Sequence, residues 1–381
     1  MRKKGEGSIY RETASGLWCV AVVVDGQRRV IRSKRQDVLL DKLRTLQHQA
    51  ARGLPTPSEN LTVATFFDEW LGSKRGTLKP QTWEAYESKV RLHIVPILGR
   101  VRLMKLDRQH IQHLYDVKLQ QGLSEQSIHH LDAVLHKALA DGMRWGRVLR
   151  NVAELVDPPR IPRHEMRALS AHEAATFLEE ARGDRLEAVY VLAIGTGMRR
   201  GELLALHWRD VDLDQGFVSV NWTLSRTKAA GIRCDEPKTR KSRRRIDLEG
   251  DCIRALRDHL GRQRAERLVA GAVWENNDLV FANELGRLIE PSNFTARSFL
   301  PIRRRAGFPQ LRFHDLRHTA GTLMLEAGVD IKRVSERLGH STINVTADRY
   351  LHVTPAMDRS AAEAVGQLLR VARAGLPASS P

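Results

Sequence analysis

The hydrophobic pattern changes character along the chain. Between Ile9 and Arg32 it runs in short, strand-like pieces: Trp18 to Val24 is largely apolar and β-branched, and Arg29 to Arg32 forms a second short run. Asp25-Gly26 has the chemistry of a tight hairpin turn, and a turn at Ser15-Gly16 leads into the Leu17-Trp18 strand start. A helical stretch from Gln36 to Ala51 follows. From Leu61 to about Val156 the apolar positions recur at helical spacing. Thr62 caps Val63 to Leu71, Pro80 opens Gln81 to Val95, Asp107 caps Arg108 to Gln121, and Ser124 caps Glu125 to Met143. Beyond this the chain begins with helices, turns to strands near Phe217 to Trp222 and near Arg244 to Leu248, and returns to helices up to Arg373.

Two breaks separate these regions. Gly53 to Glu59 contains Pro55, Pro57 and Ser58, and Asp157 to Arg163 contains Pro158, Pro159 and Pro162, which cannot continue a helix. A chain of 381 residues also exceeds what one core usually supports, roughly 250 residues. The fold class expected is therefore multidomain: a small α+β unit of three strands plus a helix over 1–55, an all-α unit over 60–157, and a mainly α unit with a small antiparallel sheet over 164–375. Pro377 to Pro381 reads as a disordered tail.

Charge narrows the partner. The formal net charge is +17, with a pI near 10.3, and clustered Lys and Arg neutralise phosphates and release counterions. Nucleic acid is the partner this favours. The first unit carries Arg2, Lys3, Lys4, Arg28, Arg29, Arg32, Lys34 and Arg35, which either lay a sheet face against DNA or form a solvated basic surface. There is no long uncharged apolar run for a membrane helix and no signal-peptide core near Met1, so a soluble, cytoplasmic protein without membrane contact is expected. Cys19, Cys234 and Cys252 are scattered and suit packing rather than a disulfide framework or a zinc cluster.

Several chemistries lack their residues. No phosphate-binding G-x-x-x-x-G-K-[ST] loop occurs, and His164-Glu165 and His172-Glu173 have no second His at helical spacing. Neither a nucleotide cofactor nor a metal is expected. What remains is a set of short polar segments. In Thr196-Gly197-Met198-Arg199-Arg200-Gly201-Glu202, Gly195 and Gly197 interrupt an apolar helix, so the loop can aim Arg199 into a cleft while Glu202 orients its guanidinium. In His314-Asp315-Leu316-Arg317-His318, residues three apart share a helical face, so His314 and Arg317 can project toward one anion, ahead of a mostly apolar helix from Ala320 to Ala327. Leu338-Gly339-His340-Ser341 places a His at a helix stop, and Tyr350 and His352 follow. Each segment alone is an ordinary polar turn.

Together and in this order, these segments resemble the signature boxes of the tyrosine recombinase (phage integrase) family. The family also places a lysine on a β-hairpin between the first two boxes, where Glu236-Pro237-Lys238-Thr239, followed by Arg244-Arg245-Ile246-Asp247-Leu248, matches well. Lys238 is the choice, with Lys241 and Lys228 as substitutes. The resemblance implies an arm-type DNA-binding domain at the N-terminus, a core-binding helical domain in the middle and a catalytic domain after it. It implies a site-specific recombinase that integrates or excises a phage, plasmid or other mobile element through a 3′-phosphotyrosine. Double-stranded attachment sites, a homotetramer on DNA, nucleoid association and accessory factors such as a host bending protein or an excision factor come with it.

Within that resemblance each residue has a chemical task. Arg199 and Arg317 bind the non-bridging oxygens as charge builds on them. Tyr350 attacks, His314 accepts its proton, and Lys238 protonates the departing 5′ oxygen. His340 completes the phosphate cradle and Glu202 holds the Arg199 region. The basic run Arg240, Lys241, Arg243, Arg244 and Arg245 is expected to follow the DNA backbone. Trp208 and Trp222 are expected in the core. A last helix, from Thr354-Pro355 to Arg373, docks either on a neighbouring protomer or on its own domain. Two other readings stand beside the integrase: a type IB topoisomerase-like relaxing enzyme, against which the basic N-terminal unit weighs, and a DNA-binding regulator without catalysis, against which the intact residue set weighs.

Overall fold

In the computed structural model the described residues are 9–24, 27–51, 60–162, 167–237, 242–340, 342–350, 367 and 370; at 24, 27–29, 45–51, 345 and 348–350 the description stops at the backbone. The chain divides into two compact units, Met1–Arg163 and His164–Pro381. The expected Asp25-Gly26 turn lies outside the described residues, as does the expected C-terminal helix apart from Gln367 and Arg370, which are helical.

The first unit opens with an antiparallel sheet of β1 (Ile9–Arg11), β2 (Trp18–Val24) and β3 (Gln27–Ser33), followed by α1 (Gln36–Ala51). The period of two decides which residues go inward: Val20 and Val22 are buried and Val23 is exposed, so one face of β2 meets Ile31, Leu39 and Leu43. The rest of this unit is helical. α2 (Val63–Lys74) is capped by the Thr62 hydroxyl accepting from the Thr65 N–H, and its buried positions Val63, Phe66, Phe67, Trp70 and Leu71 form one stripe. α3 (Pro80–Lys89) does not run on unbroken to Val95 as the sequence pattern suggests. It widens into a π-helical turn at Val90–Ile94 and resumes as α4 (Val95–Leu98). The cause is Pro96, whose ring would clash with the carbonyl four residues back; the Val95 N–H reaches instead to the Val90 carbonyl, five residues back. α5 (Arg108–Gln120) and α6 (Glu125–Arg144) are capped by Asp107 and Ser124 as expected.

One buried carboxylate ties this helical core together. Asp141 on α6 is 1% exposed and accepts from the Trp70 indole at 2.9 Å and the Lys74 ammonium at 2.8 Å, both on α2, with Arg144 as a further partner. Burial alone would raise its pKa, but Lys74, Trp70 and Arg144 outweigh that and hold it well below the usual carboxylate range.

The second unit is mainly helical with small antiparallel sheets. α7 (Ala171–Ala181) starts from a reciprocal Ser170/Glu173 cap, and α8 (Glu187–Thr196) is apolar nearly all round. The short α9 (Arg200–Leu203) leads to β4 (Val211–Asp212), β5 (Phe217–Val220), β6 (Thr223–Thr227), β7 (Gly231–Asp235) and β8 (Arg244–Asp247). β4, β5 and β8 form one sheet, and among the described residues β6 pairs with β7 alone. This second hairpin escaped the sequence pattern because its strands are short and polar. α10 (Gly250–Ala270), α11 (Pro291–Phe294), α12 (Leu300–Arg305), α13 (Phe313–Glu326), α14 (Ile331–Leu338) and α15 (Ile343–Tyr350) complete the unit. α8 runs through the core against both α10 and α13, beside an aromatic group of Phe177, Tyr190, Phe294, Phe299 and Phe313. Trp208 packs on this core with its indole donating to Gln263 at 2.7 Å, whereas Trp222 is half-buried under Arg209. Among the described residues no helix is long and apolar enough to cross a membrane.

Asp141→Ala leaves the Lys74 ammonium and the Trp70 indole without their shared acceptor. It should destabilise the protein by about 2–4 kcal/mol. Urea unfolding of the full chain reads this, and a loss below about 0.5 kcal/mol would show that Asp141 is not the clamp between α2 and α6.

Candidate active site

The polar segments of the second unit meet where α8 ends. Thr196 closes the helix by bonding back to the Leu192 carbonyl, and Gly197 then takes a left-handed conformation with φ of 68°. A Cβ at Gly197 would lie 2.3 Å from Leu338 Cδ2, so glycine is needed both for the turn and for the close approach of α14. The turn presents the Gly197 carbonyl to Arg317, whose Nη1 donates to it at 2.7 Å.

Two residues on, Arg199 stands in extended conformation just before α9. Its backbone N–H and its Nη1 both donate to the Glu202 carboxylate, at 3.0 and 2.7 Å, and its Nη2 donates to the Gly339 carbonyl at 2.9 Å. Glu202 thus orients the guanidinium from behind, as its spacing suggested. The first and third segments, 140 residues apart, are stitched together by this one side chain.

Glu202 has a second partner that sequence reasoning missed. Arg244, expected to follow a DNA backbone, turns inward: its side chain is 7% exposed, and it donates from Nη2 to Glu202 at 2.9 Å and from Nε to the Arg337 carbonyl at 2.6 Å. The reason is the two-residue period of β8, which puts Arg244 on the same face as the buried Ile246 while Arg245 and Asp247 face out. That alternation was the available signal. Elsewhere in the basic run, Arg243 pairs with Glu236, Arg245 lies over the Phe217 ring, and Arg240 and Lys241 fall outside the described residues.

On α13 the helix begins at Phe313, earlier than the apolar stretch implied, because the Asp315 carboxylate accepts the Arg312 N–H and caps the first turn. His314 lies exposed in that turn, its ring edge-on to His318 at 4.9 Å between centroids, while Arg317 one turn later is 2% exposed. The pair shares a helix side as expected but differs in depth. His340 is buried after the left-handed Gly339, and its Nδ1 is 2.7 Å from the Thr346 hydroxyl on α15. Tyr350 ends α15 one turn beyond Thr346, and its side chain is not among the described ones. Lys238 also lies outside the described residues, and Lys228 is exposed at the turn between β6 and β7.

The charges stand at different depths. Arg199 is 37% exposed, against 3% for Glu202, 7% for Arg244 and 2% for Arg317, so its guanidinium stands at the mouth of a buried charge cluster. Burial would raise the Glu202 carboxyl, but Arg244 and Arg199 more than offset this and hold it below its ordinary value of 4.5. An ionised carboxylate that stays ionised is a fixed anchor for both arginines.

Residues 160–357 match the phage integrase family, and residues 62–119 match the phage integrase N-terminal SAM-like domain. A tyrosine recombinase XerC-like protein of Caldanaerobacter subterraneus subsp. tengcongensis is 32% identical over 335 residues, covering 83% of this chain and 85% of that one. The Tn1549 transposon integrase in complex with transposon right end DNA shares the fold with a TM-score of 0.69 at 21% identity, over 80% of this chain and 100% of that one. The lambda integrase tetramer bound to a Holliday junction aligns with a TM-score of 0.57 at 16% identity, over 92% of this chain and 96% of that one.

The depressed Glu202 carboxyl sets an acid dependence. Its folded value lies below its unfolded one, so its contribution to stability is complete above the ordinary value of 4.5 and is lost as pH falls through the folded value. Glu202→Gln should therefore lower the melting temperature at neutral pH and flatten its decline as pH falls below the ordinary value of 4.5. Melting curves for the two proteins that decline in parallel over that range would show that Glu202 carries no such charge.

Proposed function

The chain belongs to the phage integrase family as a site-specific DNA recombinase of the tyrosine type, and on that premise we propose how its residues divide the work. Tyr350 attacks the scissile phosphorus, the bond from phosphorus to the 5′ oxygen breaks, and a 3′-phosphotyrosine forms. The phenol, with a reference pKa of ~10, is protonated at neutral pH, and His314 accepts its proton. Lys238 protonates the leaving 5′ oxygen. Arg199 and Arg317 bind the non-bridging oxygens by charge-assisted hydrogen bonds that strengthen as the phosphorane forms, and His340 adds an imidazole to the same cradle. Glu202 positions Arg199. The covalent link retains the energy of the broken diester, so the 5′ hydroxyl of an incoming strand can displace the tyrosine without a nucleotide cofactor.

The observation that most supports this division is the stitching of Arg199 to the Gly339 carbonyl and of Arg317 to the Gly197 carbonyl, which gathers three distant segments at one turn. The bond from His340 to Thr346 adds the fourth, because Tyr350 follows Thr346 by one helical turn. In the same reading residues 1–55 bind arm-type sites, 60–157 form the core-binding domain that clamps DNA, and 164–375 carry out catalysis. Protomers act as a tetramer on paired attachment sites in the cytoplasm, associated with the nucleoid. The reaction inserts or excises a mobile element, with a DNA-bending or excision factor choosing the direction, and the last helix reaches a neighbour or folds back. The net charge of +17 is consistent with so much DNA contact.

A nicked suicide substrate should trap a covalent complex that Tyr350→Phe abolishes. Persistence of the adduct in that variant would move the nucleophile elsewhere. Lys238→Ala should slow cleavage by about 10²- to 10⁴-fold, and a substrate with sulfur at the 5′ bridging position, whose thiolate leaves unaided, should restore it. Equal slowing on both substrates would remove Lys238 as the acid. Removing the charges of Arg243 and Arg245 together should reduce the salt slope of DNA binding by up to ~1.8, and an unchanged slope would leave both as solvated surface.

A further inference from the structure

We propose that Arg244 is a positioning residue for strand cleavage, sharing the Glu202 carboxylate so that Arg199 keeps both its place and its positive charge toward the phosphate. The inference rests on the assignment of Arg199 to the scissile phosphate.

The geometry around Glu202 carries it. A buried carboxylate bonded to one guanidinium forms a neutral pair, and a phosphate approaching Arg199 would meet a cation already cancelled by the acid behind it. Two guanidiniums on one carboxylate leave a surplus of one positive charge. All three guanidinium nitrogens of Arg244 donate within the protein, to Glu202 and to the Arg337 and Ser242 carbonyls, whereas Arg199, at 37% exposed, is the outer member of the trio. The inner guanidinium compensates the acid, and the outer one faces the phosphate. In a poorly solvated setting this difference is amplified, because charges separated by little water interact strongly.

Arg244 also grips the turn that precedes His340. Its Nε donates to the Arg337 carbonyl at 2.6 Å and its Nη1 to the Ser242 carbonyl at 3.0 Å. From the other side Arg199 holds the Gly339 carbonyl. A Cβ at Gly339 would lie 3.0 to 3.2 Å from the end of the Arg244 side chain, so this turn is packed closely against it. One side chain thereby connects β8 to the acid behind Arg199 and to the end of α14.

The test is charge suppression. Single-turnover cleavage of a nicked suicide substrate, at saturating protein, is measured for Arg244→Gln, for Arg244→Gln with Glu202→Gln, and for Arg199→Ala, with melting temperature and DNA affinity recorded for each. Arg244→Gln leaves the acid to Arg199 alone and should slow cleavage by about 10²-fold while DNA affinity stays within about threefold. Removing the acid as well should recover at least about tenfold of that loss, a result that lost packing could not produce. A folded Arg244→Gln cleaving within about threefold of the unaltered enzyme, or a double variant no faster than the single one, overturns the proposal. Should Arg244→Gln fail to fold, Arg244→Lys decides: the retained charge should keep cleavage within about tenfold, and a folded lysine variant as slow as Arg199→Ala overturns it. Full cleavage by Arg199→Ala would instead remove the underlying assignment of Arg199, whatever the Arg244 series shows.

Discussion

A single buried carboxylate organises the second unit's polar centre. Glu202 has almost no contact with water, and burying such a charge is tolerable only with well-placed partners, which Arg199 and Arg244 supply. Those two arginines arrive from different elements, one from the turn between α8 and α9 and one from β8, and each extends to the backbone at the C-terminal end of α14. The need to satisfy one acid therefore sets the mutual placement of three elements. The glycines follow from the same constraint, since the αL turns at Gly197 and Gly339 bring the backbone carbonyls within reach of the guanidiniums.

This arrangement explains how a strongly basic protein can present a few arginines with precision. Most cations here sit on long, exposed side chains with much rotamer freedom, and exposed ion pairs contribute little. Around Glu202 the guanidiniums are fixed by backbone carbonyls and a shared carboxylate, so in the proposed role little ordering remains to be done on binding a phosphate. The helical core of the first unit uses a related device: the buried Asp141 collects Trp70, Lys74 and, from the surface, Arg144. In both places an acid inside a basic chain serves to locate cations rather than to neutralise a surface.

The amphipathic helices and their caps were legible in the sequence because they depend on local spacing. Thr62, Asp107 and Ser124 cap where a short polar side chain precedes an apolar stripe, and Val20 and Val22 alternate with Val23 as a half-buried strand must. The π-helical turn before Pro96 was not legible, since its choice between breaking and widening the helix depends on the packing of Val90, Ile94 and Leu98 in the core. The polar hairpin of β6 and β7 lacked any hydrophobic signal strong enough to mark it.

For the site, the sequence by itself named the candidates: Arg199, Glu202, His314, Arg317, His340 and Tyr350 stand in motifs whose order resembles one family, and Glu202 could be paired with Arg199 from a spacing of three. Tertiary structure decided depth and partnership. It alone separates an exposed His314 from a buried Arg317 on the same helix, and it alone turns Arg244 from a member of a basic run into the inner guanidinium of a charge trio. The physical reason is that a motif records neighbours along the chain, whereas burial, hydrogen-bond satisfaction and charge compensation are settled by groups that meet only when distant segments fold together.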